Sequence, residues 1–317
     1  MNPAEVPWVV VWGYGADIRA TVQTLTIRQS GEVRRYPLDS LRHLLIAGGH
    51  TMQTAAIGHL LDKEIAVTFY DAHGIPEGML HPAGFAGYPL RPMQKAAPVH
   101  KYAMAVITAA HGARMRFLHE LAERTDGGLY YKGELEILTD AARELEFLVT
   151  MPEIVRAFLL CKNMYYEILS RVVPEELGYH RREKPPYADP VNALFSYGYA
   201  ILSANITLAI EGAGLDPALG MLYGSVLPAG RRRAAGILDL LEAAATPMVD
   251  RAVVGMAADG MLADGFEVSS RCLLTEPVLT EMNRRLAASI DQRVINENVC
   301  AYAEAIQTGS ACALRFG

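Results

Sequence analysis

The chain is short of cysteine and has no cysteine pattern. Its four cysteines (Cys161, Cys272, Cys300, Cys312) are scattered over 317 residues, with no C-x-x-C pair and no zinc-ligand spacing. A disulfide framework and a zinc module are therefore not expected, and reduced thiols in a cytosolic protein are the simplest reading. There is no basic excess either: 29 Lys and Arg face 35 Asp and Glu, a net charge of −6. Judged by overall charge alone, that balance argues against a nucleic-acid partner. No apolar run approaches the ~18 residues of a membrane span, so no membrane partner is expected. The first apolar stretch, Val6 to Trp12, has no basic residue before it and the length of a strand, which does not fit a signal peptide. The nine histidines form no H-E-x-x-H, and neither a G-x-S-x-G elbow nor a G-x-x-x-x-G-K-[ST] loop occurs. Metalloprotease, hydrolase and nucleotide-cradle readings lack support.

What is present is an ordinary globular composition, 51% hydrophobic and 20% charged, long enough for two domains at roughly 100–200 residues each. The first ~90 residues read as short strands. Val9 to Trp12, Thr21 to Ile27, Val33 to Tyr36, Leu44 to Ile46 and Ile65 to Tyr70 have strand character, and Thr51 to Leu61 has helical spacing. Gly13-Tyr14-Gly15 hints at a dinucleotide fingerprint, but Ile18 stands at its third glycine and no crossover helix follows, so a hairpin turn is expected there. Four prolines between Pro76 and Pro92 suggest a linker. Beyond Pro98 apolar residues recur at three-to-four spacing over Tyr102–Glu123, Glu134–Leu148, Glu153–Val172, Val191–Glu211 and Ala235–Ala244, with later helices at Thr280–Ser289 and Glu297–Ile306. The expected organisation is α+β: a β-rich domain over residues 1–85, a linker over 86–98 and an all-α domain over 99–317.

The informative segment lies between Tyr187 and Glu242. Asp189 is placed to cap a helix that opens with Pro190, where a missing N–H costs nothing. The helix continues through Ala193-Leu194-Phe195-Ser196-Tyr197-Gly198-Tyr199. Gly214-Leu215-Asp216-Pro217 and Leu219-Gly220-Met221-Leu222-Tyr223 follow, and then Ile237-Leu238-Asp239-Leu240-Leu241-Glu242. Asp239 and Glu242 share one face of a helix; on composition alone they read as part of a solvated face.

In this order and spacing the motifs resemble those of the CRISPR-associated spacer-acquisition integrase family, protein one of that system. Its patterns are R-x-x-R-P-P-x-D-P-x-N-A-x-L-S-F-G-Y, G-L-D-P-x-x-G-x-L-H and L-D-L-x-E. Here the first runs from Arg181-Arg182-Glu183-Lys184-Pro185-Pro186 to Tyr199, the second ends in Tyr223 and the third is intact. Ser40 to His50 and Ile65 to Gly74 resemble the family's front half. The resemblance implies an N-terminal β-sandwich-like dimerisation domain and a helical domain carrying the active site. It also implies partners: DNA, a second copy of the chain, the small CRISPR-associated protein two and, for an incomplete member, an intact paralogue. The implied chemistry is metal-assisted transesterification at DNA phosphodiesters with Mg²⁺ or Mn²⁺.

The family takes its metal ligands from a glutamate on an early helix, the histidine of G-x-L-H and the acid of D-L-x-E. Tyr223 stands at the histidine, and a register set by Tyr165-Tyr166 puts Phe158 at the glutamate. The nearest acids, Glu153 and Glu167, sit ~140° and ~180° round the helix from position 158 at ~100° per residue. Asp239 and Glu242 remain as candidate catalytic and metal-ligating acids, so metal binding is expected to be weak or absent. Arg181, Arg182 and Lys184, with Arg231, Arg232 and Arg233, form two basic clusters that would answer DNA phosphates despite the net charge. The leading expectation is a family member with impaired or lost metal-dependent catalysis and retained DNA binding. The alternatives are an active enzyme whose ligands come from Glu153, Asn163 or Glu167, and a non-enzymatic dimeric interaction module.

Overall fold

The computed structural model describes residues 8–41, 43–70, 76–81, 83, 87–125, 128–227, 234–268 and 272–317. The chain divides into two compact units, residues 1–87 and 88–317, the first β-rich and the second helical, as the α+β reading expects. In the first unit six strands hydrogen-bond into one mixed sheet. They are β1 (Trp8–Ala20), β2 (Thr24–Gln29), β3 (Glu32–Pro37), β4 (His43–Met52), β5 (Ala66–Tyr70) and β6 (Pro76–Leu80), in the order β3-β2-β1-β4-β5-β6. The meander β1-β2-β3 is antiparallel, whereas β4 lies parallel to both β1 and β5. Alternating Val9 and Val11, Leu25 and Ile27, and Leu44 and Ile46 point into one buried cluster with Leu60 of helix α1 (Thr54–Asp62). Period-two apolarity thus decides which face of each strand is covered.

The expected hairpin turn at Gly13-Tyr14-Gly15 is a bulge inside β1 instead. Gly13 and Gly15 take φ of +97° and +75°, and the β1–β4 register shifts between Tyr14 and Asp17. Two glycines in left-handed backbone let a strand absorb extra residues and continue. Gly48 faces Gly13 across the ladder, and a Cβ there would stand 1.8 Å from the Gly13 carbonyl oxygen. Only glycine fits that approach.

The second unit begins earlier than the proline content suggests. Helix α2 (Arg91–Ala96) lies within the expected linker. The Tyr88 hydroxyl donates to Glu211 at 2.9 Å, and the Leu90 N–H donates to Gly214 O at 3.0 Å. The buried Gln94 amide both donates to Asp216 O and accepts from Asp216 N–H, at 3.2 and 2.7 Å. Residues 88–98 are therefore part of the helical unit, because their polar groups pair with the turn after its central helix.

That central helix is α6 (Pro190–Gly212), reached after α3 (Val99–Arg124), α4 (Glu134–Glu144) and α5 (Met151–Leu169). Asp189 caps it by accepting from Asn192 N–H at 2.7 Å, with Pro190 in the first turn, as the sequence indicates. By length and composition α6 could cross a membrane, contrary to the sequence expectation that no such run exists; 83% of its most apolar window is buried within the fold. Short α7 (Tyr223–Val226) leads to α8 (Ala235–Ala245), which does not end where its apolar pattern fades. It widens into a π turn (Thr246–Asp250) and continues as α9 (Arg251–Ala258). Pro247 lies in that turn and has no N–H; a wider turn accommodates it without breaking the helix. A short hairpin of β7 (Phe266–Val268) and β8 (Cys272–Leu274) and helices α10 (Glu276–Ser289) and α11 (Gln292–Thr308) complete the unit.

Gln94→Ala leaves a buried N–H and a buried carbonyl of Asp216 without their side-chain partner. It should lower the unfolding free energy by about 1–3 kcal/mol, read from urea denaturation. An unchanged midpoint would mean that residues 88–98 act as a detachable linker after all.

Candidate functional site

Helices α3, α5, α7 and α8 bring Arg114, Phe158, Lys162, Tyr223 and Glu242 together. Phe158 and Lys162 are one turn apart on α5 and so share a face; Arg114 comes from α3 and Glu242 from α8. Glu242 is 6% exposed and Asp239 1%, so the expectation of a solvated acidic face is overturned. Their helix face is turned into the core.

The two acids do different work. Asp239 accepts three backbone N–H bonds, from Met221 at 2.5 Å, Leu222 at 3.1 Å and Tyr223 at 2.7 Å. It holds the segment that carries Tyr223, and both of its oxygens are engaged. Burial pushes its carboxyl up to about 7 against the pull of those donors. Glu242 pairs with Arg114 through one oxygen. Its other oxygen accepts from Lys162 Nζ at 2.6 Å and from the Tyr223 hydroxyl at 2.5 Å. Lys162 also donates to the Tyr223 oxygen at 2.8 Å. Burial alone would raise the Glu242 carboxyl, but Lys162 and Arg114 outweigh it and hold the group at about 2. The same burial and the Glu242 carboxylate push the Tyr223 phenol well above its ordinary value.

Aromatic rings wall the cluster. Phe158 meets Tyr223 edge-on at 6.3 Å between centroids, and the Lys162 ammonium lies 5.6 Å from each ring. The Arg114 guanidinium is 5.9 Å from Phe158 and 5.4 Å from Tyr165. A second polar network adjoins it. Asp250, fully buried in the π turn, accepts from Tyr165 at 2.8 Å, Tyr199 at 2.5 Å and Thr246 at 3.0 Å, and Tyr166 pairs with Tyr199 at 2.7 Å.

The geometry gives each sequence-derived candidate a place. Glu153 forms a capping box with Thr150 at the exposed start of α5, and Asn163 and Glu167 are exposed on the same helix. Since α5 runs unbroken, none of the three faces Glu242. Arg181 and Lys184 are exposed. Arg182 is not available in the way the basic-cluster reading supposes. It donates to Asn192 Oδ1 at 2.7 Å and Ser196 Oγ at 2.6 Å and packs against the rings of Tyr187, Phe195 and Tyr199. It fastens the Pro-Pro segment to α6. Arg231, Arg232 and Arg233 lie outside the described residues. Sequence reasoning missed Arg114, Lys162 and Asp250. Lys162 could have been found from its spacing, four residues after Phe158; nothing in the sequence pairs Arg114 with Glu242.

Chemically, this is a helical site in which the Glu242 carboxylate is balanced by two cations and fully hydrogen-bonded. Among the described residues no group of three or more His, Cys, Asp or Glu could hold a metal ion. As arranged, the donor set does not fit a resident Mg²⁺ or Mn²⁺, which takes several oxygen ligands. Both cations would have to leave Glu242 first.

A β-rich unit followed by a helical unit with its polar centre on α3, α5, α7 and α8 is the fold class of the Cas1 proteins and their relatives. The family model described as CRISPR associated protein Cas1 matches residues 9–287, and the chain belongs to the Cas1 family. It is 33% identical over 290 residues to a Methanospirillum hungatei protein that carries a CRISPR-associated endonuclease Cas1 name, covering 90% of this chain and 93% of that one. Its fold is similar to that of a casposase bound to integration product, with a TM-score of 0.79 and 18% identity over 97% of this chain and 92% of the other. It is also similar to a chain of a Cas6-RT-Cas1–Cas2 complex, with a TM-score of 0.78 and 18% identity over 98% of this chain and 36% of that longer one.

Glu242→Ala leaves the buried Arg114 and the half-buried Lys162 without their counter-charge. It should cost about 3–5 kcal/mol of stability, more than Asn163→Ala on the exposed face of α5, with chemical denaturation as the measurement. Equal effects of the two substitutions would mean that the ion pairs contribute nothing.

Proposed function

We propose that this Cas1-family protein binds DNA in CRISPR spacer acquisition and that its metal-dependent transesterification is impaired or lost. The observation that carries the reading is the saturation of Glu242 by Arg114, Lys162 and Tyr223. A divalent ion approaching this carboxylate meets two fixed positive charges. At ~4 Å and an effective dielectric of ~20 each unit-charge pair is worth about 4 kcal/mol, and for a divalent ion that repulsion doubles. Phe158 and Tyr223, at the positions of the family's glutamate and histidine, supply neither charge nor lone pairs suited to Mg²⁺ or Mn²⁺. A related protein bearing an endonuclease name supports the active alternative, and the same assay decides between them.

The partners follow from the family. DNA is the ligand, supported by the casposase captured with its integration product and by the exposed Arg181 and Lys184. The small protein two is the proposed companion, supported by the Cas1–Cas2 assembly among the similar structures. A second copy joined through the β unit would complete the complex, and an intact paralogue would supply the chemistry.

Purified protein incubated with Mn²⁺ and a branched or prespacer-like DNA should give no product that depends on Glu242. Robust cleavage or strand joining abolished by Glu242→Ala would establish an active enzyme with substituted ligands. Filter binding should show DNA affinity that falls steeply with salt and a shallower slope in Arg181→Ala/Lys184→Ala, because each lost phosphate contact removes about 0.9 from the log–log slope. Undetectable binding at ~50 mM salt would favour the interaction-module reading.

A further inference from the structure

The cluster around Glu242 has more hydrogen-bond donors than acceptors and more positive than negative charge. Both carboxylate oxygens are occupied, one by Arg114 and the other by Lys162 and Tyr223. The Lys162 ammonium has three N–H donors. Two of them go to Glu242 at 2.6 Å and Tyr223 at 2.8 Å, and among the described residues the third has no partner. Arg114 Nε is likewise buried without one. A spare ammonium donor open to solvent, on one of two cations that share the Glu242 carboxylate, suits an oxyanion better than a neutral acceptor.

Access separates the two cations. Arg114 is 3% exposed and packs against the rings of Phe158 and Tyr165, whereas the Lys162 side chain is 22% exposed. Its stem is fixed on α5 and its head is held between the Phe158 and Tyr223 rings, so little conformational entropy remains to be lost on contact with a ligand. Burial lowers the pKa of the Lys162 ammonium and the fields of Arg114 and Arg182 add to that pull, while Glu242 opposes it; an anion at Lys162 would oppose it further. The surroundings are thus a prepositioned, partly open ammonium with one donor in reserve.

We propose that the Lys162 ammonium contacts a DNA phosphodiester directly, as a fixed cation in the place where an active relative would use a metal ion. The inference rests on the DNA-binding reading above and deepens it. A phosphate at Lys162 is held by ion pairing and hydrogen bonding, with no Lewis acid to polarise the phosphorus. Tyr223 and Glu242 are positioning residues in this arrangement: they aim Lys162 and do not touch the DNA. Binding at this position is independent of divalent ions.

The test is a salt titration of duplex-end binding by the full chain in EDTA and in Mn²⁺. Wild-type affinity should be the same in both. Lys162→Gln should reduce the log–log salt slope by about 0.9 and weaken binding roughly eightfold at ~0.1 M salt, the release of one counterion equivalent; Lys162→Arg should keep the slope. If Lys162→Gln does not fold, Lys162→Gln/Glu242→Gln is compared with Glu242→Gln, which avoids stranding the carboxylate. An unchanged slope in a folded Lys162→Gln protein overturns the proposal while leaving DNA binding intact. So does wild-type binding that is lost in EDTA. Absence of any wild-type binding removes this inference together with the reading beneath it.

Discussion

A carboxylate cannot stay ionised inside a helical core without a counter-charge, and that constraint organises the centre of this protein. Glu242 is 6% exposed. Taking an isolated carboxylate out of water costs many kcal/mol unless it is paired and hydrogen-bonded. Here α3 supplies Arg114, α5 supplies Lys162 and α7 supplies the Tyr223 hydroxyl, so one side chain ties four helices together. Asp239, three residues earlier, faces a different requirement. It satisfies three consecutive backbone N–H groups and so fixes where Tyr223 can stand.

Electrostatic balance links positions 158 and 223 to each other. In a site built for a divalent ion several acids crowd together and the ion offsets their charge. With Phe158 and Tyr223 at those positions, Glu242 is the acid that the cluster must balance, and side-chain cations do so. Lys162 fills that need from one turn along α5, and the ring of Phe158 gives its stem and head an apolar wall. These side chains form a self-consistent set: Phe158 packs against Tyr223, Tyr223 bonds to Glu242 and Lys162, and Lys162 pairs with Glu242. The net charge of −6 bears little on this. It averages over the surface, whereas phosphate contact depends on local groups, and at Glu242 two cations share one carboxylate.

Much of the fold was legible from pattern. The strand over Val9–Trp12 and the helices over Tyr102–Glu123 and Val191–Glu211 lie within observed elements, and Ile65–Tyr70 matches its strand from Ala66 onward, because alternation and three-to-four spacing report directly on which face is buried. Legibility failed where a single residue has two possible meanings. Gly13-Tyr14-Gly15 carries turn chemistry but forms a bulge, since β4 runs alongside and offers Gly48 to the close approach. The prolines after residue 76 suggest a linker, yet residues 88–98 find partners on the turn after α6. Pro247 marks a stop that the π turn bypasses.

The sequence by itself determined the order of the units, the cap at Asp189, the family through its ordered motifs, and the absence of an acid at position 158. All of these are properties of local pattern or of residue identity, and neither depends on what packs against what. Tertiary structure alone decided that Asp239 and Glu242 point inward, that Arg182 is engaged with Asn192 and Ser196, and that Arg114, 128 residues before Glu242 in the chain, is its partner. The physical reason is range. Helical and strand periodicity is read over a few residues, but the charge balance of a buried site is settled by whichever side chains the packed helices bring within a few ångströms.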